Sequence, residues 1–186
     1  HYIQVQATGY YPLHLGLVFN EKTLYTMTFT PIQIVGWLYT SIQPANASLF
    51  LDGKPIDTGF TKLPVGSYFL TARRFGYQEQ TVDIKIEENR TTRVDIQLRP
   101  AAFSVSDFRA LRSRFNPANG GAGGRSTLSF TVTNYGSARI EITGPDGSIV
   151  ETFDLPRLTT WSQGVSWNGR DKEGKILPDG LYTARL

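Results

Sequence analysis

The feature that most constrains this chain is an internal echo. "GYYPLHLGLVFNEKTLYTMTFTP" (9–31) and "GYQEQTVDIKIEENRTTRVDIQLRP" (76–100) open on the same Gly-Tyr pair, 67 residues apart. At that offset Leu15, Leu17 and Phe19 fall on Val82, Ile84 and Ile86. Both sets alternate with other residues, the period-two pattern of a half-buried strand. A polar turn follows, Asn20 to Thr23 in one copy and Glu87 to Thr92 in the other, two residues longer in the second. Tyr25, Met27 and Phe29 then fall on Val94, Ile96 and Leu98, and Pro31 on Pro100. Ahead of the pair, Ile3 and Val5 fall on Leu70 and Ala72. Each block therefore predicts a strand, a bend at Gly-Tyr and a hairpin.

A strand and a hairpin leave one apolar face uncovered. The second copy has more upstream: "PANASLFLDGKPI" (44–56) predicts a strand ending on the turn pair Asp52-Gly53, and "TGFTKLPVGSYFLTARR" (58–74) the strand before the bend. The first copy lacks that portion, and the chain opens on His1. The expectation is a piece of a longer protein, with tandem domains of which the first is cut. The stretch from Pro44 to Gln78 resembles a PEGA domain, a small β-sandwich named for a Pro-Glu-Gly-Ala stretch before a "VxVDG" strand. Here Pro44-Ala45-Asn46-Ala47 stands for the tetrapeptide, Leu49, Leu51, Asp52 and Gly53 match the strand and turn, and Leu63, Gly66, Tyr68, Gly76 and Tyr77 match the remainder. The resemblance spans 36–100 and, as a half copy, 1–31.

The last third differs. Residues 116–124 are glycine-rich and predict a mobile loop. Alternation resumes at Leu128, Phe130 and Val132, then Ala138, Ile140 and Ile142, then Val165 and Trp167, and finally Tyr182, Ala184 and Leu186, with "GPDG" (144–147) as a turn. Short strands at this spacing predict a sandwich. "SARIEITGPDGSIVETF" and "VSWNGRDKEGKILPDGLYTARL" are similar to the Ig-like domain of the flagellar hook-capping protein FlgD. Trp167, Gly169, Asp171, Gly174, Gly180 and Tyr182 fit its "WxGxDxxGxxxxxGxY" pattern, and "FNPANGG" resembles the start of that fold. That module is reused widely, so it speaks for fold more than for function.

The expected architecture is all-β: tandem small antiparallel β-sandwich domains, with a partial PEGA-like repeat at 1–31, a PEGA-like sandwich at 32–100 and a FlgD-like Ig-like sandwich at 101–186. The resemblances imply a bacterial cell-envelope protein, periplasmic or surface-exposed. Its expected role is that of a non-catalytic spacer or docking segment, touching other envelope proteins or further domains of its own chain. Cell-wall polymer is the alternative partner, and accessory domains of a large exported enzyme the alternative context.

The chemistry available is narrow. There is no cysteine and only His1 and His14, so a thiol nucleophile is ruled out and neither a zinc site nor a Ser-His or Cys-His pair is expected. His14 reads as solvent-facing. Asp171 and Glu173 near Asn168 offer oxygens for calcium, but an aspartate bonding the amides of a turn explains them better. "GGAGGRST" lacks the lysine of a phosphate loop and leads into a strand. Asn46 and Asn89 are glycosylation acceptors by pattern only. No catalytic residue, metal or cofactor is expected. The net charge of +3 comes from 19 basic and 16 acidic residues, interleaved in both halves, so no stripe tracks a phosphate backbone and nucleic acid is not an expected partner. No apolar run is long enough for a helical membrane span. Among the tryptophans Trp167 reads as core, whereas Trp37 and Trp161 offer faces for stacking, Trp161 the better placed in its polar loop. Arg73 and Arg74, and Arg109, Arg112 and Arg114, are small basic clusters whose ordinary role is edge protection on strands. Trp161, Arg73 and Arg74 are therefore the candidate contacts for a partner.

Overall fold

The computed structural model describes residues 1–18 and 26–186. Fifteen strands and one 3-10 turn, Gly121–Gly124, make up the regular structure among these residues, and there is no α-helix. The chain is all-β. It divides into two compact units, His1–Arg74 with Glu79–Leu98, and Phe75–Gln78 with Arg99–Leu186.

In the first unit β1 (Tyr2–Val5) and β2 (Leu13–Gly16) form a two-stranded sheet. The main body is a sandwich. One sheet holds β6 (Gly59–Pro64), β3 (Val35–Gln43) and β9 (Thr91–Gln97) in that order; the other holds β5 (Lys54–Ile56), β4 (Ser48–Leu51), β7 (Gly66–Arg73) and β8 (Gln80–Ile86). Leu38, Ile42 and Ile96 from the first sheet and Leu49, Leu51, Leu70, Ala72, Ile84 and Ile86 from the second are buried. Pairing is antiparallel with one departure from expectation: β3 and β9 run parallel, Trp37 opposite Thr91 through Gln43 opposite Gln97. The reason is topological. The chain crosses to the other sheet for β4 and β5, returns to pair β6 on one edge of β3, and crosses again for β7 and β8 before β9 reaches the opposite edge of β3, a long connection of the kind that parallel neighbours require. The Asp52-Gly53 turn joins β4 to β5, and both of its residues have positive φ, 46° and 77°, as a two-residue hairpin demands.

The echo is present in three dimensions. Gly9 and Gly76 both adopt left-handed backbone, φ 81° and 85°. Tyr10 bridges Gln33, and Tyr77 bridges Pro100. Tyr11 N donates to Ile32 O and Gln78 N to Arg99 O, while Ile34 N donates to Gly9 O and Ala101 N to Gly76 O, all at 2.8–2.9 Å. Each of these pairs maps onto the other at a constant offset of 67, and so does the register of β1 with β2 on that of β7 with β8. This corrects the sequence alignment in one respect. Gln33, not Pro31, is the counterpart of Pro100, and no extra residues separate the bend from the exit strand in the second copy. The alignment followed side-chain alternation, whereas the backbone ladder counts residues. The predicted strand through Met27 and Phe29 does not form: neither residue lies in a strand, and they are 43–44% exposed. Phe19, the Asn20 to Thr23 turn and Tyr25 lie outside the described residues.

The second unit packs a sheet of β10 (Val105–Ala110), β11 (Ser126–Val132) and β14 (Ser162–Trp167) on one of β13 (Ile149–Leu158), β12 (Gly136–Thr143) and β15 (Thr183–Arg185). Its core is Leu128, Phe130, Val132, Ile140, Ile142, Leu158 and Trp167, with Phe75. The glycine-rich stretch 116–124 is not the featureless loop its composition suggests. Asn116 accepts the Ala118 amide on its side chain (2.9 Å) and the Asn119 amide on its carbonyl (2.9 Å), and the chain continues into the 3-10 turn. Asp171 accepts the amides of Glu173 (3.0 Å) and Lys175 (2.9 Å), which is the turn geometry its spacing predicts. Asp146 accepts the hydroxyl and amide of Ser148, and these bonds hold its carboxyl below the usual aspartate range.

A second recurrence was not anticipated. "LPVGSY" (63–68) and "LPDGLY" (177–182) share a Leu-Pro-x-Gly-x-Tyr frame, one in each unit. In both, the tyrosine hydroxyl donates to the proline carbonyl four residues back, Tyr68 to Pro64 at 2.9 Å and Tyr182 to Pro178 at 2.8 Å. The bond pins the turn to a tyrosine in the strand that follows it (Tyr68 in β7) or just ahead of that strand (Tyr182, before Thr183), as tyrosine corners do in sandwich domains. Burial, followed by the charge of Asp52, pushes the Tyr68 hydroxyl above its ordinary pKa. A folded pKa above the unfolded one means that this contribution is complete below about pH 10 and disappears as pH rises through the folded value. Tyr68→Phe is thus expected to cost about 1 kcal/mol in a urea titration at pH 7. The gap between variant and parent should narrow in strong alkali.

Candidate functional site

The alternation of β3 places Gly36, Leu38, Thr40 and Ile42 inward and Trp37, Tyr39 and Ser41 outward. The neighbouring registers complete an outer face. Lys62, Trp37 and Thr91 form one row, and Phe60, Tyr39 and Arg93 the next, with Ser41 beside Asp95 beyond. Three aromatic rings therefore share one surface of a three-stranded sheet. Trp37 is 41% and Phe60 66% exposed. Tyr39 meets Phe60 at 4.8 Å between ring centroids, tilted by 58°. On its other side the Arg93 guanidinium lies 4.6 Å from the Tyr39 ring centre, a cation–π contact. Ser41 Oγ donates to Asp95 Oδ1 at the polar end of the face.

This arrangement presents flat apolar area from side chains that lose little freedom when a partner covers them, flanked by charges of both signs. Trp37 and Tyr39 rise from β3, laddered on both sides, and Phe60 from β6, paired with β3 on one, so the surface is held by the sheet rather than by a loop. It offers contact and stacking. It brings together no acid–base pair, and among the described residues no group of three or more metal-ligating side chains could hold a metal ion. No helix of the described residues is long and apolar enough to cross a membrane.

The sequence-predicted contacts sit elsewhere. Arg73 ends β7, opposite Ser48, with its guanidinium 5.4 Å from the centre of the Phe50 ring. Arg74 follows it beyond the strand end. Both belong to the first unit. Trp161, in the second unit, is 38% exposed, and its ring stands edge-on against Phe75 at 5.6 Å. Phe75 is buried and also meets Tyr135 at 4.9 Å, so one side of Trp161 serves the core of its unit. His14 is exposed, as its strand position implies.

Sequence reasoning singled out Trp37 but missed Tyr39, Phe60 and Arg93. The nine-residue strand "VGWLYTSIQ" carries aromatics on the outer face and Gly36 and Thr40 on the inner one. Polarity therefore does not alternate along it, and hydrophobic periodicity is blind to it. Its β-branched and aromatic content was the available signal.

No family model matches the chain, and no curated protein matches it. Among solved structures it is similar to a DUF3823 family protein from Parabacteroides merdae, with 15% identity over 74% of this chain and 82% of that one and a TM-score of 0.28. A second DUF3823 family protein, from Bacteroides ovatus, gives 15% identity over 73% and 80%, with a TM-score of 0.25. The Bacillus anthracis TIE protein gives 11% identity over 79% of this chain and 33% of that one, with a TM-score of 0.28.

Proposed function

We propose that the chain is a non-catalytic docking segment of a bacterial cell-envelope assembly, exported to the periplasm or cell surface, and that it binds a partner protein through the outer face of β6, β3 and β9. The observation that carries this reading is the Trp37–Tyr39–Phe60 surface with Arg93 stacked at its edge. Tryptophan, tyrosine and arginine are the residues in which interface binding energy concentrates, and here they converge on a rigid sheet with no core left to serve. The envelope context follows from the resemblance to PEGA and FlgD-like Ig-like modules. The non-catalytic part is supported by a chain with no cysteine and two histidines, which leaves few ingredients for nucleophilic or zinc chemistry.

Stacking on cell-wall polymer is the second reading, favoured by the flat, half-exposed Trp37 ring beside Lys62 and Thr91. A photo-crosslinking amino acid at position 60 separates the two in producing cells, with one at exposed position 85, on the sheet of β8, as control. The proposal expects discrete protein adducts from position 60 that disappear with Trp37→Ala and are absent from position 85. Adducts that sediment with insoluble wall polymer would favour stacking on sugar. Equal labelling from both positions would remove the proposed face.

A further inference from the structure

The second unit is a sandwich with one open side. Its two sheets end there in β10 and β15, which are not hydrogen-bonded to each other. β15 is only three residues long and pairs with Glu141 to Thr143 of β12. Between the two edges runs a cavity of about 580 Å³, a volume ordinary for a ligand site. Leu128, Ile142 and Trp167 reach it from the core, and Phe108 and Tyr182 flank it. The groove is thus a slot with an apolar floor, polar residues along its rim and a strand edge on either side.

Its rim is cationic. Arg109, Arg112 and Arg114 line it, and Asp179 is the acid among the lining residues. All three arginines are exposed, and none forms an ion pair with a described residue. The segment that carries them is fixed in place. Buried Ser126 donates its hydroxyl to the Arg112 carbonyl (2.7 Å) and accepts the Arg112 amide (3.3 Å), and Leu111 N donates to Thr127 O (2.8 Å). The β10 ladder slips register between Ser106 and Arg109, where Asp107 takes positive φ (56°). A bulge of this kind re-aims the side chains that follow it. Edge protection explains arginines on a strand, but it does not explain why three of them border this groove.

We propose that this groove binds an extended, acidic peptide segment of a partner protein. Apolar side chains of the peptide enter the slot, its carboxylates meet Arg109, Arg112 and Arg114, and its backbone runs beside the open edge of β15. Strand addition with alternate side chains in pockets is an established recognition mode, and guanidinium groups suit carboxylates through paired N–H donors.

Panning a displayed library of random decapeptides against the whole chain tests this. The expected winners alternate apolar with acidic residues. A synthetic winner, labelled with fluorescein, should bind saturably, bind more weakly at high salt, and lose at least tenfold in affinity to the Arg109→Ala/Arg112→Ala/Arg114→Ala variant. Circular dichroism should show that variant folded, because all three side chains are exposed. With all three arginines changed to glutamate, panning should select basic peptides instead. Failure to enrich any peptide, enrichment without acidic residues, or affinity indifferent to the arginines overturns the proposal. Binding to phosphatidylglycerol vesicles with no peptide selected overturns it in favour of a lipid surface.

Discussion

Gly36→Ala is expected to destabilise the first unit by about 3 kcal/mol, the upper range for forcing atoms into a filled interior. A Cβ at this position would stand 2.1 Å from the Glu87 carbonyl oxygen, 2.9 Å from Ile86 Cγ2 and 3.1 Å from the Arg90 oxygen. Two of those neighbours are backbone, so no rotamer change relieves the clash. The turn between β8 and β9 would have to withdraw, and that turn is bonded to β3 on both sides of the glycine. Trp37 N donates to Arg90 O (2.8 Å), and Asn89 N donates to Val35 O (3.0 Å). The measurement is a urea titration with hydrogen exchange read at β3 and β9 amides. Gly16→Ala, whose Cβ would meet only a tyrosine ring at 3.6 Å, is the control and should shift stability by no more than about 0.5 kcal/mol. An equal, small effect from both would mean that β3 is not seated on the turn as described.

Trp167→Ala should cost the second unit about 4 kcal/mol, within the range for emptying a buried aromatic site. The indole is 7% exposed. Phe115 meets it at 5.7 Å and 85°, Tyr182 at 5.3 Å and 63°. Its Nε1 donates to the Arg170 carbonyl at 3.0 Å, tying the turn after β14 to the core. Truncation removes the packing and leaves that carbonyl without its donor. Trp167→Phe keeps most of the ring area and loses the bond, and should cost about half as much. Hydrogen exchange at β11 and β14 amides reads both. A Trp167→Ala loss below about 1 kcal/mol would contradict the assignment of this ring to the core.

Legibility followed physical causes. Strands buried on one face and wet on the other announced themselves, as Leu128, Phe130 and Val132 did in β11 and the Val82 to Ile86 alternation did in β8. The Gly-Tyr bend was legible because left-handed backbone narrows the choice to glycine. What stayed hidden had two faces of similar polarity or depended on counting along the backbone. β3 is apolar outside and carries glycine and threonine inside. β10 is exposed nearly throughout, so it has no alternation to show. The Pro31 alignment followed side-chain pattern, whereas hydrogen-bond register decided for Gln33. The shared Leu-Pro-x-Gly-x-Tyr frame was visible in the letters, but its meaning lies in a hydroxyl-to-carbonyl bond that no pattern of hydrophobicity encodes. For the outer face of β6, β3 and β9 the sequence pointed to Trp37 and could not pair it with Phe60, 23 residues later, because that partnership is made by the β3–β6 register alone.

On the proposed function, the β6–β3–β9 face serves contact and not folding. The most direct measurement compares the parent chain with the Trp37→Ser/Phe60→Ser variant in two assays run together, urea unfolding and affinity pull-down of the partner that crosslinking at position 60 identifies. Unfolding midpoints should agree closely and capture should fall at least tenfold. A variant that captures as well as the parent, or that loses capture only because it has unfolded, would contradict it.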